Sequence, residues 1–435
     1  MTKARLDGLT LLILGSVLFV AIGAVMEFTN PLGMKDFQQF YVSARCVAHH
    51  HDPYNKDELA AFYRADVGGL SADSGVSHTV RLIVLTCNNL PTTLFFVAPL
   101  AAMPWSVAVA VWMALIAVAF IIACFRVWSF GADSSPRLCG ALIFLILVNS
   151  GLLLSSGNTA GLVVSLAVIA VCCFLKDRFV VAGIVCLAVA LAMKPHDAGP
   201  IWLYFLLAGG VQRKRALQSA ALTAAILIPA VLWVWHSAPH WAPELHANLA
   251  EGLAPGGLNN AGPTTQGGRG IGQIISLQAV LSLIRDDARF YNSVTYVICG
   301  IPLLLWCVRT LRIGFSPRNA WLALAAIAPL TMLPFYHRTY DARLLLLAVP
   351  ACASLWMGGH ARGRSALGLT LAAIILTGDL FWIVLFQATH YSGWSTEFGT
   401  IPAPLVLLAL GIFCLWIYLR SDNTASLSGQ MKAES

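Results

Sequence analysis

Long apolar segments separated by short basic loops make up most of this chain of 435 residues. Only 11% of the residues are charged and 58% are hydrophobic, whereas soluble domains carry about 25% charged residues. A bilayer offers no water to unpaired backbone groups, so segments of this length must form helices. The sequence predicts an all-α polytopic membrane protein, with one helical bundle over residues 1–420 and a polar cytoplasmic tail over residues 421–435.

The membrane crossings are predicted from apolar runs that end at charges, Pro or Gly. We count about twelve runs long enough to be transmembrane helices. They lie near residues 8–28, 105–126, 138–155, 157–175, 179–193, 197–210, 217–236, 294–311, 320–336, 342–357, 366–388 and 401–419. The segment 92–103 is too short to cross and contains Pro99, so we interpret it as interfacial or re-entrant.

The Lys and Arg residues of the short loops fall on one side of this predicted bundle. Short loops rich in Lys and Arg stay in the cytoplasm, so we assign that side to the cytoplasm. The long connections 29–91 and 237–293 then face outward. We expect a multi-pass protein of a bacterial-type inner membrane whose site faces the periplasm or exterior. The net charge of +7 is an orientation signal and predicts no nucleic-acid partner.

The outward connections have their own local patterns. Residues 36–50 and 56–65 have helical spacing around the turn signal 52–55, which predicts two amphipathic helices on the membrane surface. Residues 252–272 are rich in Gly, Pro and Asn, which indicates a mobile loop before a short helix near 273–285. Such a loop is suited to cover a site.

Asp36 is the first candidate functional residue, because it follows the first apolar span and opens the run DFQQFY. A carboxylate at the membrane rim can act as a general base towards a hydroxyl group. The alternative is structural, because Asp36 and Gln39 have the spacing of a capping box. Gln39 and Tyr41 are candidate substrate-binding residues beside it.

Lys194 is the second candidate, at the apex of a short apolar hairpin. It can snorkel to the interface as a structural lysine. Beside Pro195 and near His196 and Asp197, it can equally hold an anion, since an ammonium group is a compact charge suited to phosphate.

The third candidate cluster is PFYHRTYDARLLLL, residues 334–347, at an outward helix junction. Asp341 could cap a helix and Arg338 could anchor the interface. The concentration of polar side chains exceeds what anchoring needs, so we predict a substrate-binding role for the whole group: His337, Arg338, Tyr340, Asp341 and Arg343. Asn158, at the outward turn Ser156-Gly157-Asn158, is a weaker candidate, because turns commonly contain Asn.

No metal or other cofactor is predicted. Residues 49–51 are three adjacent histidines, but neighbouring side chains in a helix point in different directions and do not converge on one ion.

Several motifs together resemble glycosyltransferase family 87, which has a membrane fold of the GT-C type. They are DFQQFY, DPYN, NNLPTTLFFVAPLAAMPW, SSGNTAGL, AGIVCLAVALAMKP and YHRTYDARLLLL. The resemblance implies transfer of a hexose, typically mannose, from a polyprenyl-phosphate carrier to an acceptor outside the membrane. It places the family's first-loop acid at Asp36, its lysine at Lys194 and its histidine-bearing junction at residues 337–341. Two departures, Gly157-Asn158 for Gly-Gln and Asn89-Leu90-Pro91 for Tyr-Pro-Pro, imply a different acceptor.

The expected reaction is a single displacement that inverts the anomeric carbon. Asp36 takes the proton of an acceptor hydroxyl, and Lys194 with Arg338 neutralises the leaving phosphate. The expected partners are a polyprenyl-phosphate-linked sugar, a lipid or glycan acceptor and membrane lipids. The alternatives are a secondary transporter or lipid-linked-sugar flippase, because a lysine within broken helices also marks transport pathways, and a polymerase or ligase of surface glycans.

Overall fold

A computed structural model describes residues 2–29, 33–67, 83–262, 274–389 and 399–421. Within these ranges the chain is α-helical, with one isolated β-bridge between Ile274 and Arg338. The first helices are α1 (Lys3–Thr29), α2 (Lys35–Ala48), α3 (Lys56–Val67), α4 (Pro91–Ala101), α5 (Trp105–Gly131), α6 (Pro136–Val148), α7 (Gly151–Ser156), α8 (Ala160–Leu175), α9 (Val180–Met193) and α10 (Pro195–Leu207). The later helices are α11 (Gly210–Ser237), α12 (Trp241–Leu253), α13 (Leu277–Leu281), α14 (Ala288–Arg312), α15 (Pro317–Thr331), a 3₁₀ helix (Asp341–Ala348), α16 (Val349–Met357), α17 (Ala361–Leu376), α18 (Asp379–Ala388) and α19 (Pro402–Arg420).

The predicted all-α class and multi-pass character are confirmed, but the count of about twelve spans is not. Six helical segments in the described ranges are long and apolar enough to cross a membrane: α1, α5, α6 with α7, α11, α14 and α19. A seventh is obtained if α17 and the start of α18, which bend by 60° at their break, form one span. The other predicted spans are shorter or broken helices. Apolar runs alone cannot distinguish a lipid-facing span from a short helix enclosed by protein.

Helix α8 is one of the predicted spans that the structure does not confirm. It has 16 residues and a length of about 24 Å at 1.5 Å per residue, short of a hydrocarbon core of about 30 Å. Most of its side chains are buried on every face, against α5, α9 and the 3₁₀ helix. It is therefore an internal helix whose apolar residues meet other helices.

Close helix packing depends on small residues, as is common in membrane proteins. A methyl group on Gly8 of α1 would lie 2.3 Å from the Pro136 carbonyl oxygen, and one on Gly140 of α6 would lie 2.7 Å from the Gly8 Cα. The two backbones therefore touch, and α1 is fixed along α6.

The first outward connection forms its helices at the predicted residues, but α2 does not lie on the membrane surface. The predicted helices over residues 36–50 and 56–65 are α2 and α3, with the turn 52–55 between them. The interpretation of α2 as a surface helix is wrong, because Phe37, Phe40 and most other α2 side chains are buried. Its aromatic residues pack against other helices of the bundle and do not contact lipid at the membrane surface.

The second outward connection contains a helix that the sequence analysis missed. Residues 241–253 form α12, and the predicted short helix near 273–285 is α13. Residues 263–272 of the predicted mobile loop lie outside the described residues, as do residue 273 of the predicted short helix and residues 422–435 of the tail.

The basic loops and the candidate residues lie at opposite ends of the same helices. Asn158 precedes α8 and Lys176 follows it, whereas Lys194 follows α9. At the basic end, Lys176 donates to the Ser129 hydroxyl at 2.8 Å, and Arg5 pairs with Asp133 at 2.5 Å. The candidate site is therefore built at the end of the bundle away from these basic loops.

Candidate active site

Asp36 lies in the first turn of α2, where its carboxylate is held by a residue far away in sequence. Its Oδ2 accepts a 2.8 Å hydrogen bond from Nδ2 of Asn158. Oδ1 of Asn158 accepts from the backbone N–H of Ala160 at 2.9 Å, which fixes the orientation of the amide group. Asn158 thus fixes one oxygen of the Asp36 carboxylate, and the Asp36 side chain is half-buried.

The capping-box interpretation of Asp36 and Gln39 is wrong. Met34 is the N-cap of α2, and Asp36 lies inside the helix. The Gln39 amide donates instead to the carbonyl oxygens of Ile83, at 2.7 Å, and Thr86, at 2.5 Å. Gln39 therefore ties the chain at residues 83–86 to α2.

Gln39 and Tyr41 are both engaged inside the protein. Oε1 of Gln39 accepts from Asn89 at 2.8 Å, and the Tyr41 hydroxyl donates to the Met103 carbonyl oxygen at 2.7 Å. Both side chains are buried. Their contacts indicate that these two side chains hold the residues that flank α4. Their role in substrate binding stays a prediction.

Gly157 brings Asn158 next to α2. Its φ of 66° lies in the left-handed region, and a Cβ there would meet the Cβ of Phe37 at 2.7 Å. Its carbonyl oxygen accepts from the Trp112 indole at 2.8 Å. The turn can therefore approach α2 only with glycine at this position.

We expect Gly157→Ala to reduce both stability and activity. The left-handed backbone costs a non-glycine residue about 1–3 kcal/mol, and the clash with Phe37 would move Asn158 away from Asp36. Thermal unfolding and sugar transfer by purified protein would measure the two effects. Gly199→Ala is the control, because a Cβ at Gly199 meets nothing within 4 Å; equal losses in both variants would contradict the explanation.

Lys194 lies at the break between α9 and α10, and its ammonium group is shared by two carboxylates. Nζ pairs with Oδ1 of Asp341 and lies 3.0 Å from Oδ2 of Asp197. Both aspartates are buried. The other oxygen of Asp341 accepts from the backbone N–H of Arg338 at 2.8 Å. The structure therefore joins two clusters that are far apart in sequence.

The end of α9 is fixed by α4. The hydroxyl groups of Thr92 and Thr93 donate to the carbonyl oxygens of Ala192 and Met193, the latter at 3.0 Å. These carbonyls lie in the last turn of α9, just before Lys194. The segment 92–103, predicted as interfacial or re-entrant, is an eleven-residue apolar helix that supports the site from one side.

His337 is buried against Asp197. Its Nε2 lies 3.2 Å from Oδ1 of Asp197, and its ring lies 5.2 Å from the ring of His196, measured between centroids. Sequence analysis had noted His196 and Asp197 only as neighbours of Lys194. One signal in the sequence could have identified them as site residues. They directly follow Lys194-Pro195, at the start of a helix that faces the junction.

Arg338 and Tyr340 connect this junction to Asp36. The Arg338 guanidinium donates to the Tyr336 hydroxyl and to the Leu258 carbonyl oxygen at 2.9 Å. Asp36 is close enough to interact electrostatically with both Arg338 and Tyr340. On the other side, Nζ of Lys194 lies 5.4 Å from the centre of the Tyr340 ring. The carboxylate of Asp36 and the cations Lys194 and Arg338 thus belong to one polar region.

Arg343 makes its hydrogen bond and its ion pair with residues of the chain beyond this region, and its substrate-binding role stays a prediction. Its guanidinium donates to the Thr377 carbonyl oxygen at 2.9 Å and lies 3.4 Å from Oδ1 of Asp379. Asp379 also accepts from the backbone N–H of Leu152 at 2.7 Å. The contacts of Arg343 are therefore those of a buried tie between the 3₁₀ helix, α18 and α7.

Helix α12 covers the turn 52–55 outside the membrane-crossing helices. Asn248 donates to the carbonyl oxygens of Tyr54 and Cys87, both at 3.0 Å. Loss of water contact raises the pKa of Glu244 from 4.5 to about 7, helped by a hydrogen bond with Asp52 and by the charges of Asp52 and Glu58. Glu244 therefore binds a proton more readily in the folded protein than in the unfolded chain.

A pH-dependent stability follows. An acid whose pKa is raised on folding stabilises the folded state below its unfolded pKa, and this contribution is lost as pH rises through the raised value. We expect the thermal unfolding temperature to fall as pH rises from 4.5 through about 7, and Glu244→Gln to flatten that fall. Glu251→Gln, on the same helix and exposed, is the control; the same flattening there would contradict the assignment.

The fold and these residues define a multi-pass membrane protein with a polar site at one end of its helices. The model of glycosyltransferase family 87 matches residues 90–334, more than half of the chain. The chain belongs to glycosyltransferase family 87 and is a membrane glycosyltransferase. The match includes Asn158 and Lys194, whereas Asp36 and residues 337–343 lie outside it. No curated protein sequence matches the chain.

Proposed function

We propose that this glycosyltransferase moves a hexose, typically mannose, from a polyprenyl phosphate to a lipid or glycan acceptor on the outer face of a bacterial-type inner membrane. The main support for this proposal is that the half-buried carboxylate of Asp36, which Asn158 holds, lies within electrostatic range of Arg338. A base in this position can accept the proton of an acceptor hydroxyl, and the nearby cation can stabilise a departing phosphate. Membership in a transferase family favours this function over a transporter or flippase.

Asp36 is the proposed general base. The acceptor oxygen attacks the anomeric carbon while its proton passes to the carboxylate, and the bond between that carbon and the phosphate oxygen breaks. Asn158 donates to Oδ2, which leaves Oδ1 to receive the proton. One displacement on the face opposite the phosphate inverts the anomeric centre.

The leaving phosphate needs positive charge more than it needs a proton. Lys194 and Arg338 are the proposed cations. Two carboxylates already share the charge of Lys194, so its attraction for an added anion is reduced. We therefore propose that Lys194 does not act alone and that Arg338 shares the stabilisation of the phosphate, with the Tyr340 ring centre 5.4 Å from Nζ of Lys194.

Donor and acceptor can be tested together. Purified full-length protein in lipid nanodiscs is incubated with radiolabelled polyprenyl-phosphate-mannose and a lipid extract as acceptor source. We expect label to move into a glycolipid or a glycan, with release of polyprenyl phosphate, and no transfer from a nucleotide sugar. Label in a long polymer identifies a polymerase, and label that only changes leaflet identifies a flippase; either result contradicts the proposal.

A further inference from the structure

We propose that His196, Asp197 and His337 form a binding site for a divalent transition-metal ion. One nitrogen from each histidine and one carboxylate oxygen lie within 4.8 Å of one another. Two imidazole groups and one carboxylate suit zinc, manganese or cobalt rather than magnesium or calcium. The site differs from the sequence-based expectation, which had considered only the adjacent histidines at residues 49–51.

The distance between His337 and Asp197 fits a shared ion. Ligand atoms about 2.1 Å from a metal lie about 3.4 Å apart at a tetrahedral angle and about 3.0 Å apart at a right angle. The observed separation of Nε2 and Oδ1 is 3.2 Å. A direct charge-assisted hydrogen bond is shorter, about 2.7–2.9 Å.

Asp197 supplies a second and independent observation. Its side chain is fully buried, and neither carboxylate oxygen makes a hydrogen bond of normal geometry with the described residues. Oδ2 faces the Lys194 ammonium group, and Oδ1 faces His337. A buried carboxylate oxygen normally has a partner, and a metal ion at Oδ1 would supply it.

Charge balance permits a cation here although Lys194 is near. Asp197 and Asp341 carry two negative charges against the single positive charge of Lys194, and histidine ligands are neutral. The region keeps one excess negative charge for the ion. Three protein ligands also leave a coordination position open, and the exposed side chain of His196 lets an ion enter from that side.

The second ring nitrogen of His337 is also placed as a metal ligand requires. Its Nδ1 lies 3.4 Å from the Phe335 carbonyl oxygen, which can accept a hydrogen bond from Nδ1–H. Histidine ligands commonly donate their other N–H to a carbonyl, which directs the remaining lone pair at the metal.

Metal binding can be measured without any sugar substrate, so the result is independent of the proposed function. Full-length protein without a polyhistidine tag is purified in detergent, stripped with chelator and titrated with ZnCl₂. We expect one zinc ion per chain after removal of free metal, and a visible absorption band with Co²⁺ as the probe. His196→Ala should weaken zinc binding at least tenfold, and Asp197→Asn should abolish the cobalt band.

His50→Ala is the matched control, because the His50 and His236 rings lie 5.6 Å apart and form another histidine pair that could hold metal adventitiously. If Asp197→Asn does not fold, the exposed His196 variant carries the test, with its fold checked by size-exclusion chromatography. Failure of wild-type protein to retain zinc overturns the proposal. Loss of zinc in the His50 variant, with full binding in the His196 variant, also overturns it.

Discussion

Asp36→Asn should fold normally and lose nearly all sugar transfer. Asparagine keeps the size of aspartate and a carbonyl oxygen that can accept from Asn158, so the 2.8 Å hydrogen bond between α2 and the turn before α8 is retained. The amide cannot accept the acceptor's proton. Loss of a general base lowers the rate by about 10²–10⁴-fold, which single-turnover transfer from a labelled polyprenyl-phosphate sugar would measure.

Asp57→Asn is the control for this experiment. Asp57 lies in the first turn of α3, so the two variants remove the same charge from neighbouring helix starts. We expect the Asp57 variant to keep its activity. If folded Asp36→Asn protein transfers sugar at the wild-type rate, Asp36 is not the base.

The candidate site was predictable from the types of residue but not from their contacts. A charged side chain within apolar sequence is expensive unless it has a function or a partner. Sequence analysis selected Asp36 and Lys194 at the ends of apolar runs, and Asn158 at an outward turn. Arg343 was selected because polar side chains are concentrated in residues 334–347, and the structure pairs it with Asp379. Composition marks a polar residue as significant, and only packing decides whether it binds a ligand or another side chain.

The missing information concerned distance along the chain. Asn158 is 122 residues from Asp36, and Asp341 is 147 residues from Lys194. Periodicity within a short stretch of sequence cannot predict contacts between residues so far apart in the chain. Sequence patterns did predict the turn between α2 and α3, because Asp52, Pro53 and Asn55 act locally: Oδ1 of Asp52 accepts from the backbone of Tyr54 at 2.8 Å.

The predicted number of spans is not confirmed for a related reason. Helices α8 and α9 are apolar enough to cross a membrane but short, and the last turn of α9 is tied to α4 through Thr93. Burial by protein and burial by lipid select the same residue types. Helix length, which Lys194-Pro195 sets at the end of α9, distinguishes the two cases.

Replacement of Lys194 by methionine should be the most destabilising of these changes. The ammonium group separates two buried carboxylates, Asp197 and Asp341. In protein stripped of metal, the two carboxylates then repel each other without a nearby cation to compensate them. Removing one partner of a buried ion pair costs about 3–5 kcal/mol, which thermal unfolding of purified protein would detect as a large fall in the unfolding temperature. Lys176→Met, at an exposed position at the other end of the bundle, should change stability by no more than about 0.5 kcal/mol.

A double variant separates a structural lysine from a phosphate-binding lysine. In Lys194→Met with Asp341→Asn, one negative charge is removed together with the positive one, so we expect most of the lost stability to return. If Lys194 also binds the donor phosphate, the restored protein should still need a higher donor concentration for half-maximal transfer than Asp341→Asn alone. Equal donor dependence in those two proteins would assign Lys194 to the ion-pair network only. A Lys194→Met protein as stable as wild type would contradict the buried-charge argument itself, because two unneutralised carboxylates at this distance cannot remain buried without cost.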